Sequence, residues 1–173
     1  ELKAQCRETG DNIYEVMNQW VEEIPAEEFC PVYLPFLMAS NVHPNALGSF
    51  VGMSNFHTRK HLVRSLYEGV AFSHRYHLEK LLKTRTEPPK SIRLAGGAAR
   101  SAVWTQMFAD VMKLPVECVD VEETGTFGCA VLGTIATGVY PDAETAVGKM
   151  GRIAPAVQPN PAATVIYDEK YAL

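Results

Sequence analysis

The chain has 173 residues, 47% of them hydrophobic, which is enough to bury a core of its own and predicts one globular domain. Its formal net charge of -4 excludes nucleic-acid binding through phosphate neutralisation, because no large positive field is present. No apolar run approaches the roughly 20 residues that span a bilayer, and the first residues carry no secretory pattern. These features predict a cytoplasmic location with no membrane partner.

Four cysteines and five histidines are the first residues to consider for a metal site. The cysteines lack the short paired spacing of zinc sites and redox dithiols, and we expect reduced, mostly buried thiols. They are Cys6, Cys30, Cys118 and Cys129. His57 with His61 and His74 with His77 have helical spacing, but no carboxylate or cysteine completes a ligand set. Packing or solvent exposure is favoured for them, and no metal-binding residue is predicted.

The first third of the chain predicts one helix and two short extended runs. Apolar residues at helical spacing after Asp11, a candidate N-cap, indicate an amphipathic helix that ends at Pro25. Residues 31–45 contain three prolines and favour a loop-rich passage with a short strand near residues 32–34. Residues 48–53 form a second brief extended run, whose glycines allow backbones to approach closely.

A long helix is predicted from Thr58, a candidate cap, because leucines recur at helical spacing with few breakers. Gly69 in its middle costs about 1 kcal/mol relative to alanine. Close packing should offset this cost, with a nearby ligand as the alternative. The basic residues Arg59, Lys60 and Arg64 could face a phosphate, but a solvated helix face is the favoured interpretation.

The segment SIRLAGGAARSAVWTQMFADVMKLPV, residues 91–116, has the pattern strand, glycine turn, amphipathic helix and second strand. Gly96 and Gly97 remove two side chains where the first strand ends, so a ligand can lie against bare backbone. Ligands of open α/β sheets bind at the carboxyl ends of strands, which favours a nucleotide or phosphate. An ordinary tight turn is the alternative. Ser101 can cap the following helix, and Pro115 ends it.

The last third predicts a strand over residues 116–121 and a helix of small residues, whose acidic start suits the helix dipole. Its glycines, Gly125 and Gly128 among them, predict close approach to a neighbouring element, and Gly138 ends it. Residues 155–161 are rich in alanine and proline and predict a surface connection to a final helix.

Three ordered motifs resemble those of the FGGY carbohydrate kinases. GSFVGMSNFHTRKHLVRSLYE is similar to the family's second signature, with Leu66 as a conservative departure. AGGAARSAVWTQMFADVMKLPV is similar to its adenosine motif, and ETGTFGCAVLG to its late helix of glycine and alanine. The resemblance covers nearly the whole chain. It implies the α/β class and a partial actin-like ATPase (ribonuclease H-like) domain, with a central sheet flanked by helices.

The resemblance also implies cofactor-binding residues in the glycine turn. In kinases of this type the turn lies against the adenosine part of ATP, which carries over to Gly96, Gly97 and Ala98. Ser101 matches a position that can contact the nucleotide, and it is also the predicted helix cap. The family's catalytic aspartate and phosphate-binding loops match nothing here, so no catalytic residue is assigned. Asp110 is expected to make surface or packing contacts.

In function, the resemblance implies transfer of the ATP γ-phosphate to a sugar hydroxyl, with Mg²⁺ held by parts of the parent protein outside this chain. Residues 1–173 are expected to be its carboxy-terminal nucleotide-binding domain, a fragment that lacks the amino-terminal domain and the first phosphate-binding hairpin. The fragment alone is expected to be inactive. Implied partners are ATP or ADP and, through the missing domain, the sugar; the oligomeric state, a homodimer included, stays open.

The branch of the family is indicated by YLPFLMASN, HTRKHLVRSLYEGVAFSH and VEETGTFGCA, which resemble the kinases of L-xylulose or 3-keto-L-gulonate. Two other classes remain open. An actin-like or chaperone-type ATPase domain also places paired glycines between strand and helix, and it would act by conformational switching without a sugar. The second class is a non-catalytic binding or scaffold module with a degenerate nucleotide site.

Overall fold

The computed structural model describes residues 2–38, 43–121 and 123–173, and within these ranges the chain forms seven α-helices and four short strands. The helices are α1 (Leu2–Thr9), α2 (Ile13–Glu23), α3 (Arg59–Leu82), α4 (Ala102–Met112), α5 (Thr124–Ala136), α6 (Ala143–Met150) and α7 (Pro161–Tyr171). The strands are β1 (Val32–Leu34), β2 (Ser49–Val51), β3 (Ile92–Leu94) and β4 (Val116–Cys118). No helix in the described ranges is both long and apolar enough to cross a membrane.

The main core is shared by the helices α2, α3, α4 and α7. Each helix buries its apolar face there, as the helical spacing of its apolar residues predicts. The buried aromatic and larger aliphatic members include Val21, Tyr67, Phe108, Val111 and Tyr167. Burial of each such side chain contributes about 1.5–3 kcal/mol, so the stability of the chain is concentrated in these four helices. The helices predicted before Pro25, after Thr58, after Ser101 and at the end of the chain are confirmed.

The N-cap of α2 is Asn12, so the prediction of Asp11 as its cap is wrong. Asn12 Oδ1 accepts a hydrogen bond from the backbone N–H of Tyr14 at 2.9 Å. The Asp11 carboxylate instead accepts one from the Thr9 hydroxyl at 2.6 Å. The hydrophobic pattern does not indicate α1, because this helix buries a single residue, Cys6.

α3 begins at its predicted cap and packs closely against a hairpin. The backbone N–H of Thr58 donates to His61 Nδ1 at 3.0 Å. Further along, α3 meets β1, which pairs antiparallel with β2. A Cβ atom at Gly69 would lie 2.3 Å from the backbone oxygen of Tyr33. Close packing therefore accounts for this glycine, as predicted.

The basic residues at the start of α3 do not share one environment. Arg59 is exposed and Lys60 partly exposed, as a solvated face predicts. Arg64 is only 5% exposed, so the prediction for this residue is wrong. Its Nη1 donates to the carbonyl oxygens of Val21 at 2.8 Å and Ile24 at 2.6 Å. The end of a helix has carbonyl groups without intrahelical partners, and Arg64 supplies donors to the end of α2.

β3 and β4 form a parallel pair, with Ile92 opposite Val116, and this pair packs against α4. A segment of the tail extends the sheet, because the backbone of Val116 exchanges hydrogen bonds of 2.9 and 2.8 Å with that of Val157. The predicted surface connection at residues 155–161 is therefore in part a sheet edge. The alanine and proline content of this segment does not predict a strand, because the pairing is made by backbone groups and not by side chains.

α5 forms where predicted but makes different contacts. It packs against α6, and the buried residues of the two helices are Val131 and Ala146. A Cβ atom at Gly125 or Gly128 would meet no atom within 4 Å among the described residues. The predicted close approach through these glycines is wrong for the described part of the chain, where their side of α5 is open.

Two of the cysteines are buried and Cys118 is half-buried, as expected, but Cys129 on α5 is exposed. The histidines of α3 make the packing contacts favoured for them. His61 Nε2 lies 2.7 Å from Glu28 Oε1, and the His74 ring meets the edge of the Phe108 ring with centroids 5.3 Å apart.

Candidate nucleotide site

The candidate site lies where β3 and β4 end. Parallel strands bring their carboxyl ends to the same edge of a sheet, and the last residues in register are Leu94 and Cys118. The pairing continues one step, since the N–H of Val119 donates to the Leu94 oxygen at 3.2 Å. Gly96 and Asp120 each follow the last pair by two residues. The glycine turn therefore stands at the edge where such sheets bind ligands.

Gly96 and Gly97 differ in what their backbones require. Gly96 has a φ of +83°, a conformation that glycine adopts without the strain of other residues. Gly97–Arg100 then form one 3-10 turn, and Gly97 has no positive φ. A Cβ atom at either glycine would meet nothing within 4 Å among the described residues. Turn geometry explains Gly96, whereas neither conformation nor crowding explains Gly97.

A cavity of about 320 Å³ opens beside the turn. Its walls come from the turn, the end of β4 and the tail, and are lined by Gly96, Ala99, Arg100, Cys118, Val119, Asp120, Val121 and Ala154. The volume is within the range of small-molecule pockets, about 300–1,000 Å³. Gly97 and Ala98 continue the turn from this wall. Of the predicted site residues, Gly96 thus lines a cavity of suitable size, Gly97 follows it in the turn, and Ala98 packs in part against the main core.

Ser101, the fourth predicted residue, lies behind the turn and is 6% exposed. Its hydroxyl accepts the backbone N–H of Trp104 at 3.2 Å, which confirms it as the N-cap of α4. The same hydroxyl donates to Asn18 Oδ1 at 2.8 Å. One acceptor position of the hydroxyl is left, so contact with a nucleotide stays a prediction.

Asn18 is a supporting residue that the sequence pattern does not reveal. Its Oδ1 accepts hydrogen bonds from the Ser101 hydroxyl at 2.8 Å and from the Tyr67 hydroxyl at 3.0 Å. The Tyr67 ring in turn stacks on that of Trp104, with centroids 4.3 Å apart. One amide on α2 thus ties α3 to the start of α4. In the sequence, this amide looks like any polar residue of an amphipathic helix.

Two charged residues line the cavity, Arg100 and Asp120, and the other lining residues are small or apolar. Arg100 Nη2 lies 3.2 Å from Glu123 Oε1, and both side chains are mostly exposed, so this pair contributes little stability. In the described ranges, no group of three or more His, Cys, Asp and Glu residues could hold a metal ion. The small apolar residues of the wall fit an uncharged nucleoside better than they fit a chelated triphosphate.

Asp110 has a packing role, as expected. It is 4% exposed and accepts hydrogen bonds from the backbone N–H of Asn160 at 2.7 Å and from Gln106 Nε2 at 2.8 Å. Burial raises the pKa of its carboxyl above the ordinary value, against the lowering effect of these two bonds. Because Asn160 is the N-cap of α7, Asp110 joins α4 to α7.

The parallel strand pair, the glycine turn and the helix behind it belong to a domain of the actin-like ATPase fold, the fold of the structural neighbours given below. Residues 2–137 match the model of the FGGY family of carbohydrate kinases, C-terminal domain. The chain belongs to this family.

Individual relatives agree with the family match. The chain is 38% identical to the L-xylulose/3-keto-L-gulonate kinase of Escherichia coli K12 over 94% of its own length and 32% of that protein. It is 34% identical to a probable L-xylulose kinase of Pasteurella multocida over 91% of the chain and 32% of the relative. The crystal structure of xylulose kinase from Rhodospirillum rubrum superposes with a TM-score of 0.77 at 30% identity, covering 99% of this chain and 34% of that one. The chain thus spans about a third of the length of these relatives.

Proposed function

We propose that this chain is the carboxy-terminal part of an ATP-dependent carbohydrate kinase and that its glycine turn holds the adenosine part of ATP. The observation that carries the proposal is Gly97, which is a glycine although neither its backbone conformation nor its neighbours require one. A nucleoside against the turn supplies the reason, because a side chain would occupy its space. Membership of the FGGY family supports the same assignment.

In this proposal, Gly96, Gly97 and Ala98 form the surface on which adenosine lies, since their small size lets a ligand approach the backbone. Ser101 acts chiefly by supporting the turn. Its hydroxyl holds the start of α4 and bonds to Asn18, which keeps the turn in position. We also propose that the remaining lone pair of the Ser101 hydroxyl accepts a hydrogen bond from the nucleotide.

The complete kinase moves the γ-phosphate of ATP to a sugar hydroxyl. Such transfer needs a carboxylate that accepts the hydroxyl proton, and Mg²⁺ supplies charge neutralisation at the phosphates when bound. We assign neither the base nor the metal ligands to this chain, whose part is to orient the nucleotide. Phosphorylation of L-xylulose by residues 1–173 alone would contradict this division of roles.

For the sugar, we propose a substrate of the pentulose type, with L-xylulose and 3-keto-L-gulonate as first candidates. The support is the 38% identity to a kinase named for these two substrates. ADP release by the full-length protein, measured with these two sugars, D-xylulose and gluconate, tests the proposal. Activity on gluconate alone would contradict it. ATP hydrolysis that no sugar stimulates would indicate an actin-like or chaperone-type ATPase instead.

The adenosine assignment is tested by Gly97→Val in the full-length protein. The added carbon atoms would stand where adenosine lies, so we expect the Kd for ATP, measured by calorimetry, to rise about tenfold, a loss of ~1.4 kcal/mol. The melting temperature should not change, because the position is open. Gly148→Val in α6 is the matched control, since its surroundings are also open and it is not part of the glycine turn. Unchanged ATP affinity in a folded Gly97→Val protein counts against the assignment.

A further inference from the structure

Asp120 stands next to the glycine turn at the end of the neighbouring strand. Because Leu94 pairs with Cys118 in parallel register, Gly96 and Asp120 occupy equivalent positions beyond the last pair. Adjacent strands lie about 5 Å apart, and both residues line the same cavity. The backbone of Asp120 is also held from the tail, since its N–H donates to the Arg152 oxygen at 3.0 Å. The backbone of Asp120 therefore has a fixed place in the cavity wall, and its side chain is exposed there.

The Asp120 carboxylate has no ionic or hydrogen-bonding partner among the residues that the structure describes. Arg100, on the same wall, pairs with Glu123. An ionised carboxylate has only acceptor sites, about four of them, and no donor. Asp120 thus presents unused acceptors to whatever occupies the cavity.

We infer that Asp120 accepts hydrogen bonds from the ribose hydroxyls of the bound nucleotide and so selects ribonucleotides, an inference that rests on the proposed adenosine site. The ribose of ATP carries two neighbouring O–H donors, and one carboxylate can accept both. Bonds from a hydroxyl to a carboxylate are short and charge-assisted. The phosphates of ATP are anions and are repelled by Asp120, so the carboxylate belongs beside the nucleoside end of the ligand. Carboxylates play this part in dinucleotide-binding sheets, also just beyond a strand.

The test compares ATP with 2′,3′-dideoxy-ATP in the full-length protein and in its Asp120→Ala variant. We expect the unmodified protein to bind ATP at least tenfold more tightly than the dideoxy analogue, since hydrogen bonds to charged groups are among the stronger ones. In Asp120→Ala, the Kd for ATP should rise about tenfold while the Kd for the analogue stays the same. Asp120→Asn keeps an acceptor oxygen without the charge, so its Kd for ATP should lie between those of the unmodified protein and of Asp120→Ala.

Glu87→Ala is the matched control, because Glu87 is an exposed carboxylate in the loop after α3 and outside the cavity wall. It should leave both Kd values unchanged. If Asp120→Ala binds ATP normally, or weakens ATP and the dideoxy analogue equally, the inference is wrong while the adenosine site stands. If Asp120→Ala alters the preference for ATP over inosine triphosphate instead, the carboxylate reads the base and the inference is also wrong. Failure of the unmodified protein to bind any nucleotide overturns both this inference and the proposed function.

Discussion

Glu68 is a carboxylate buried in the middle of α3 and bound by two cations. It is 4% exposed and accepts hydrogen bonds from Arg64 Nε at 2.8 Å and from Lys170 Nζ at 3.0 Å. Arg64 also donates to the Tyr167 hydroxyl at 2.8 Å, so this group of side chains joins α3 to α7. Burial raises the pKa of Tyr167, and burial together with the charge of Glu68 raises the pKa of Cys30 to about 11. Both groups therefore stay protonated at neutral pH.

We expect Glu68→Ala to lower the free energy of unfolding by about 3–5 kcal/mol, because the buried Arg64 and the partly buried Lys170 would lose their counter-charge. Urea unfolding of the chain at pH 7, followed by circular dichroism, measures the change. Glu23→Ala is the control, since Glu23 forms an exposed pair with Lys60 and should cost less than about 1 kcal/mol. Equal losses in the two variants would show that the buried group is no more important than a surface pair.

At the scale of elements, two helices tolerate glycine for opposite reasons. In α3, the missing side chain of Gly69 makes room for the β1 backbone, with the Tyr33 oxygen 2.3 Å from an added Cβ. In α5, an added Cβ at Gly128 meets no described atom within 4 Å. Helix propensity favours alanine at both positions by about 1 kcal/mol, so packing alone distinguishes them.

Alanine substitution at these positions should therefore change stability in opposite directions. Gly69→Ala is expected to destabilise the chain by about 1–3 kcal/mol, because the hairpin must move and overpacking outweighs the gain in propensity. Gly128→Ala is expected to stabilise it by about 0.5–1 kcal/mol. Chemical denaturation of the two variants beside the parent chain measures both values. A stabilised Gly69→Ala would mean that β1 does not press on α3 in solution.

At the scale of the whole molecule, burial is uneven. Seven residues of α4 are buried, whereas α5 buries only Val131 and exposes Leu132 to 65%. Regions with few buried apolar contacts open locally at a lower free energy than the global unfolding reaction. The helices that carry the main core and the pair formed by α5 and α6 should thus differ in local stability.

We expect amide hydrogens of α5 and α6 to exchange with solvent faster than those of α3 and α4 in this chain. Hydrogen exchange measured by mass spectrometry, corrected for the intrinsic rate of each amide, tests this. Protection of α5 equal to that of α4 would contradict the expectation and would mean that the chain unfolds as one cooperative unit. The same measurement on the full-length protein reports whether other parts of it protect α5.

Local sequence signals were sufficient for much of the fold and for the glycine turn. The apolar spacing of α3 and α4, the caps Thr58 and Ser101 and the short strands are encoded by residues close together in the chain, where pattern and propensity act directly. Gly96 and Gly97 were found for the same reason, since paired glycines between a strand and a helix are a local signal. The motif resemblance added the adenosine assignment, which the pattern alone left open.

Other features depended on residues far apart in the chain, and only the tertiary structure decided them. The burial of Arg64, the bonds of Asn18 to two elements and the pairing of the tail with β4 join residues from 40 to over 100 positions apart, as in the Arg64–Tyr167 bond. The position of Asp120 beside Gly96 likewise follows from strand register. Sequence patterns describe which face of an element is apolar, whereas the partner that a polar group meets is set by how the elements pack. The sequence by itself therefore determined the glycine turn and the elements other than α1 and α6. The packing of the elements decided which polar side chains support the turn and which one faces the cavity.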